Sequence, residues 1–254
     1  MSGSWALSYG SDDMYCEMPL GAVSSGPREG RLRAGISLAR AGDMDFSRRT
    51  VLPWRGRLLA ALGIDGGRLL SVRQVHSRRV LMVDGLSPSA LENLEADGLV
   101  SRGPDAVLAI TVADCLPIFL ADPVTGAFGL VHSGWKGTGI AVEAIRFMGE
   151  RFGTRVGDMR VTIGPGIGAC CYKVPEERCD QFAARFGEDA VVRGSAGDFR
   201  LDLGRANVSL LEKAGVRDIM LVSDCTCCSP ALGSFRREGP AGFTHMLAFI
   251  GRWP

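Results

Sequence analysis

The stretch AVLAITVADCLPIFLADPVTGAFGLVHS, residues 106–133, decides the fold. It holds three apolar runs, Ala106–Val112, Leu116–Leu120 and Ala127–Val131, each of strand length. Asp114-Cys115 breaks the first from the second, and the turn Asp122-Pro123-Val124-Thr125-Gly126 breaks the second from the third. A hairpin-like return across that turn would bring the ends of the last two strands together. Downstream, the glycines of Gly134 to Gly139 lead into a helix over Ile140 to Phe152, with Ala141, Ala144, Ile145 and Met148 on one face. Arg160–Ile163 reads as a strand, Pro175 to Phe186 as a helix, and Asp202 to Ala214 as a helix capped by Asp202 and stopped by Gly215. Asp218–Val222 and His245–Ile250 are late strands. Upstream, Thr50 to Leu62 reads as a helix, while Leu69–Val72 and Arg79–Val83 are strands flanking a polar loop. Strands interleaved with helices predict an α/β chain of mixed α+β character, a single compact layered sandwich with mixed sheets flanked by helices. One domain over 1–254 is expected, with residues 1–20 as a loosely attached segment and a turn-rich lead-in to about residue 30.

Composition narrows the function classes. The 29 Lys and Arg against 28 Asp and Glu leave a net charge of +1, which excludes a broad electrostatic footprint for nucleic acid or an anionic membrane. No apolar run reaches the length of about 20 residues that a spanning helix needs. The first residues, Met1-Ser2-Gly3-Ser4-Trp5, lack the basic and apolar regions of a secretory signal. Eight cysteines, with Cys170-Cys171 and Cys227-Cys228 adjacent, do not form the spacing of a secreted disulfide framework, so reduced thiols in a cytoplasmic protein are expected.

Three residues stand out as chemistry. Cys115 sits between two apolar runs, His132 ends the next strand, and His76 lies on the polar loop Arg73-Gln74-Val75-His76-Ser77. Two imidazoles and a thiolate fill three positions of a tetrahedral zinc site and leave the fourth open for water or substrate. The plainer reading is a buried, inert Cys115 and two histidines satisfied by the backbone. The same atoms also suit a metal-free arrangement, in which Cys115 is the nucleophile, His132 its base, and His76 or Asp114 orients the imidazole.

Other segments are weaker signals. The loop His132-Ser133-Gly134-Trp135-Lys136-Gly137-Thr138-Gly139 opens a helix, and Lys136 with the helix start could hold an anion; a tight strand-to-helix connection is the alternative. Ile163-Gly164-Pro165-Gly166-Ile167-Gly168 lacks dinucleotide-loop spacing and reads as a turn packed under a site. Cys225-Thr226-Cys227-Cys228 invites a zinc-ribbon reading but lacks a second pair at ribbon spacing, so structural or incidental thiols are expected. Arg236 and Arg237 could grip a phosphate or carboxylate; a solvated basic loop is the alternative.

Taken in order, Gln74-Val75-His76, Ala96-Asp97-Gly98, Ala113-Asp114-Cys115-Leu116-Pro117, His132-Ser133-Gly134-Trp135-Lys136-Gly137, the 163–168 turn, Leu201-Asp202-Leu203 and Phe235-Arg236-Arg237 resemble the laccase-domain proteins, also called the polyphenol oxidase, peptidoglycan editing factor or purine nucleoside phosphorylase family. The resemblance implies a metal site of His76, Cys115 and His132, with zinc as the metal and copper as the alternative. It implies phosphorolysis of adenosine, inosine and methylthioadenosine, with adenosine deamination beside it. Gln74, Lys136, Arg236 and Arg237 are then expected at phosphate and substrate, and the partners are purine nucleosides and phosphate. Lys136 stands where the family usually has Arg, Ser37 where Asn is expected, and Phe243 where an Arg is common. Four-copper laccase chemistry is excluded by counting, because three histidines cannot supply both a blue copper and a trinuclear cluster. The competing expectation is a metal-free Cys–His hydrolase or amidase acting on a peptide or peptidoglycan-precursor substrate, and a third is a binding protein whose metal is structural.

Overall fold

The three runs of 106–133 form strands in two different sheets, and the chain crosses between the sheets at Asp114-Cys115. The computed structural model describes residues 2–20, 31–46 and 52–253. The turn-rich stretch from Gly21 to Pro27 and the expected helix start at Thr50 and Val51 lie outside those residues.

In chain order the strands are β1 (Ser2–Trp5), β2 (Tyr15–Glu17), β3 (Leu32–Ser37), β4 (Leu69–Leu70), β5 (Val80–Met82), β6 (Gly98–Ser101), β7 (Val107–Val112), β8 (Leu116–Ala121), β9 (Phe128–Ser133), β10 (Arg160–Ile163), β11 (Val191–Arg193), β12 (Phe199–Leu201), β13 (Asp218–Val222) and β14 (Met246–Arg252). The helices are α1 (Leu52–Leu62), α2 (Pro88–Leu91), α3 (Ile140–Phe152), α4 (Glu176–Phe186), α5 (Leu203–Ala214) and α6 (Phe235–Glu238). A seven-stranded mixed sheet runs β1-β13-β10-β8-β9-β6-β5, a five-stranded sheet runs β2-β3-β14-β7-β4, and β11 and β12 form a short ribbon.

Side-chain alternation explains the layers. Along β8, Leu116, Ile118 and Leu120 pack with Ala141, Ala144, Ile145 and Met148 of α3, with Phe182 of α4 and with Leu211 of α5. The intervening Phe119 and Ala121 point the other way, onto Leu108, Ile110, Ala248 and Ile250 of the second sheet. On that sheet's far side Val107 and Ala109 meet Leu58, Leu59 and Leu62 of α1. The order is helices, sheet, sheet, helix. Both sheets are covered on both faces, so their central strands read as unbroken apolar runs instead of alternating ones.

The helix caps agree with the sequence. Asp202 accepts a hydrogen bond from Arg205 N at 2.8 Å, and Gly215 closes α5 in the left-handed region at φ 97°. The first twenty residues differ from a loose segment: β1 pairs in parallel with β13, and β2 pairs with β3. Residues 235–238 form a helical turn capped by the Ser234 hydroxyl, which accepts from Arg237 N at 3.2 Å.

Candidate active site and metal centre

The β8–β9 hairpin sets Pro117 opposite His132 and Leu116 opposite Ser133. Cys115, one residue before β8, therefore stands beside the end of β9. His76 arrives from the loop after β4. The metal-ligating atoms of His76, Cys115 and His132 lie within 4.8 Å of one another, and the two imidazole rings meet edge-to-face at 4.8 Å.

Two residues here hold left-handed backbone without being glycine, His76 at φ 58° and Asp114 at φ 81°. Such positions cost about 1–3 kcal/mol each and persist only where neighbours over-determine them. The Asp114 carboxylate accepts from Thr226 Oγ1 at 2.6 Å and Arg236 N at 2.7 Å, and its carbonyl accepts from Ile167 N at 2.8 Å. His76 N donates to Asp97 Oδ1 at 3.0 Å.

Asp97 is the hub that the sequence did not assign. It is fully buried and accepts from Val75 N at 3.2 Å, Ser77 N at 2.6 Å and Ser77 Oγ at 2.8 Å, as well as from His76 N. Its carboxylate also meets His132 Nδ1 at 2.8 Å. Burial alone would raise its pKa, but the hydrogen bonds from His132 and Ser77 outweigh burial and bring it to about 2. The ionised carboxylate makes Nδ1–H of His132 the donor and leaves Nε2 for the His76–Cys115 side. Burial also opposes charge on His132, yet Cys115 and Asp97 raise it to about 9. Cys115, which burial would push up, is instead brought down to about 6 by His132 and His76. Thiolate and imidazolium stabilise each other when no cation lies between them.

The donor set fits a metal ion. It offers two imidazoles and one acidified thiol, with His132 fixed in orientation by a buried carboxylate. Gly134 keeps the space over them open: a Cβ there would stand 2.8 Å from Cys115 Sγ and 3.4 Å from His76 Cδ2. His76, Cys115 and His132 all line a cavity of about 1340 Å³.

That cavity sorts the remaining sequence candidates. Lys136, Arg236 and Gln74 line it, as do Arg178, Tyr172, Phe235 and Phe243. The Lys136 ammonium and the Arg178 guanidinium both lie over the Trp135 ring, at 5.6 and 4.8 Å. Arg236 lies over Tyr172 at 5.4 Å and donates to the carbonyl of Lys173 at 3.1 Å. Burial and the nearby Cys115 push the Tyr172 phenol up to about 12, so it stays protonated. Gln74 spends its amide on the backbone of Thr111, donating to the carbonyl at 2.8 Å and accepting from the N–H at 2.7 Å.

Three expectations change, and one departure from the family pattern is located. Arg237 does not line the cavity beside Arg236; it donates to the carbonyls of Thr226, Ser229 and Leu232 and pairs with Glu238. The start of α3 is not an open anion cradle either, because Asn207 accepts from Gly139 N at 3.4 Å and from Ser133 Oγ at 3.3 Å. Asp114 is engaged by Thr226 and Arg236, so Asp97 orients the imidazole. Ser37 is fully buried, and its hydroxyl accepts from Leu247 N at 2.8 Å, away from the cavity. Arg178 escaped the sequence reading because a basic residue on an amphipathic helix resembles any solvated one. His245 also lines the cavity, and its Nδ1 meets Asp43 Oδ1 at 2.9 Å.

Fold and site together define a layered α+β protein with a His–Cys–His group in the lining of a large mixed cavity. The chain belongs to the multi-copper polyphenol oxidoreductase laccase family, whose description matches residues 30–252. It is 37% identical over 234 residues to a purine nucleoside phosphorylase of Deinococcus radiodurans, covering 91% of this chain and 85% of that one. It is 34% identical over 218 residues to the purine nucleoside phosphorylase YlmD of Geobacillus stearothermophilus, covering 81% and 80%. The crystal structure of YlmD superimposes with a TM-score of 0.85 at 29% identity over 98% of this chain and all of that one. No helix among the described residues is long and apolar enough to cross a membrane.

Proposed function

We propose that the protein is a metal-dependent purine nucleoside phosphorylase. It cleaves adenosine, inosine and methylthioadenosine with phosphate to the free base and ribose 1-phosphate or its methylthio analogue, with adenosine deamination as a side activity. The observation that carries this reading is the shared cavity, in which the His76–Cys115–His132 group, the cationic side chains of Lys136, Arg178 and Arg236 and an aromatic wall face the same space. The names of the relatives agree with it.

His76, Cys115 and His132 would hold the metal, with zinc first and copper second. When bound, it supplies Lewis acidity toward the purine or toward a water. Lys136 and Arg236 bind phosphate through charge and N–H donors, and Arg178 adds a third cation to the same chamber. Tyr172, Phe235 and Phe243 offer faces and edges for the purine and ribose. Phe243 and Lys136, which depart from the usual family residues, both touch this cavity and are where substrate range would differ. Gln74 acts indirectly, by fastening the 73–77 loop to β7. Free thiols are consistent with a cytoplasmic setting. Cys115→Ala and His132→Ala are expected to lose one bound metal and phosphorolysis together; full turnover in either variant rejects the reading.

A second reading rests on the Asp97–His132–Cys115 series itself, which has the order of a cysteine–histidine–acid triad with an acidified thiol. It would make the protein a metal-free hydrolase or amidase of peptide or peptidoglycan-precursor substrates. A chelator would then leave activity intact while iodoacetamide abolishes it.

A further inference from the structure

The Cys225-Thr226-Cys227-Cys228 segment lacks a partner pair in the sequence, and the fold supplies one from 54 residues upstream of Cys225, at Cys171. The thiols of Cys170, Cys171, Cys225 and Cys228 lie within 4.8 Å of one another. Cys228 Sγ stands 3.7 Å from Cys170 Sγ and 3.4 Å from Cys171 Sγ. A zinc ion with Zn–S bonds of about 2.3 Å holds tetrahedral sulfurs about 3.8 Å apart, close to those separations.

The backbone around the four thiols is built in the same sense. Each pair sits on a tight turn: Cys171 N donates to Gly168 O at 2.9 Å, and Cys228 N to Cys225 O at 3.1 Å. The turns are tied to each other, since Thr226 N donates to Gly166 O at 3.0 Å and Gly166 bridges to Cys225. Gly168 N donates to Cys225 Sγ at 3.2 Å, the kind of N–H contact that supports a thiolate ligand. Gly168 also leaves the room: a Cβ there would stand 3.2 Å from Cys170 Sγ and 3.5 Å from Cys225 Sγ. Cys227, the fifth thiol of the two segments, is not one of the four gathered thiols; like Cys171 and Cys225 it packs against the apolar core.

We infer that Cys170, Cys171, Cys225 and Cys228 form a tetrathiolate zinc site, separate from the His76–Cys115–His132 group, that clamps the 164–173 loop to the 225–229 loop. It is a closed, four-ligand site with no position for substrate, so its role is structural. Four thiolates this close need a dication between them. The clamp also matters to the cavity. The first loop carries Ile167 and Tyr172, and the second carries Thr226, whose hydroxyl holds the Asp114 carboxylate next to Cys115.

The test is metal analysis of the full chain purified under reducing conditions. Wild type is expected to carry two zinc ions per chain and Cys115→Ala one. Cobalt exchanged into Cys115→Ala should give a thiolate-to-cobalt band roughly fourfold stronger than a single thiolate supports. Adding Cys228→Ser to Cys115→Ala should remove the remaining ion. The inference is overturned if Cys115→Ala is metal-free, if Cys170→Ser and Cys228→Ser both leave its zinc unchanged, or if the intact mass shows the thiols paired as disulfides. The cobalt spectrum needs no cysteine of the cluster to be altered, so it decides even if Cys228→Ser fails to fold. Loss of phosphorolysis in Cys115→Ala bears on the other centre alone.

Discussion

Asp97 Oδ1 meets His132 Nδ1 at 2.8 Å while the same carboxylate gathers the N–H groups of Val75, His76 and Ser77. One buried anion thereby sets the ring of one proposed ligand and the backbone of another. Asp97→Asn should weaken metal binding about 10- to 100-fold, the usual cost of losing such a partner. A competition titration against a chromophoric chelator checks this, and unchanged affinity would remove Asp97 from the site's design.

Gly134 is the second test of the same centre. An added methyl would press on Cys115 Sγ and His76 Cδ2, with no left-handed backbone to complicate the substitution. Gly134→Ala should therefore keep its helix and sheet content by circular dichroism while metal content falls. A variant that unfolds outright, or one that binds metal normally, would contradict this placement.

The paired arginines should separate cleanly. Arg236→Ala is expected to raise KM for phosphate by on the order of tenfold, the loss of one charge-assisted contact. Arg237→Ala instead strands the carbonyls of Thr226, Ser229 and Leu232 and should cost about 1–3 kcal/mol of stability. Steady-state kinetics together with thermal melts distinguish the two; the reverse pattern would mean that the guanidinium roles are exchanged.

Asp122 gives a pH-dependent prediction. It is buried in the β8–β9 turn and accepts from Val124 N at 2.8 Å and Thr125 Oγ1 at 2.6 Å. Burial would raise its pKa, but the Thr125, Thr154 and Val124 hydrogen bonds lower it below the ordinary 3.8. Because the folded value is depressed, the stabilisation is complete above 3.8 and fades as pH falls through the lower folded value. The Tm gap between wild type and Asp122→Asn should be widest near neutrality and narrow in acid. A gap independent of pH would show that the turn is held by shape alone.

The sequence was most legible where burial and periodicity coincide. Runs covered on both faces announced β7, β8 and β9, and apolar stripes with Asp202 and Gly215 announced α5 to within a residue. β1 and β6, short and rich in serine and glycine, carry no such period; they are strands because neighbouring backbone pairs with them. The same contrast holds at the site. His76, Cys115 and His132 were visible as rare, reactive residue types. Asp97 was one carboxylate among many until the 73–77 loop closed around it, and Cys170 could not be joined to Cys228 because no compact spacing links them.

The central claim is phosphorolysis at the His–Cys–His centre, and one incubation tests it most directly. Metal-loaded protein is given adenosine with and without inorganic phosphate, and the products are resolved by liquid chromatography. Adenine and ribose 1-phosphate appearing only with phosphate is the expected result. Inosine formed regardless of phosphate, with no free adenine, would make deamination the main reaction and contradict the claim; no product at all would withdraw the purine assignment and bring the cysteine hydrolase reading forward.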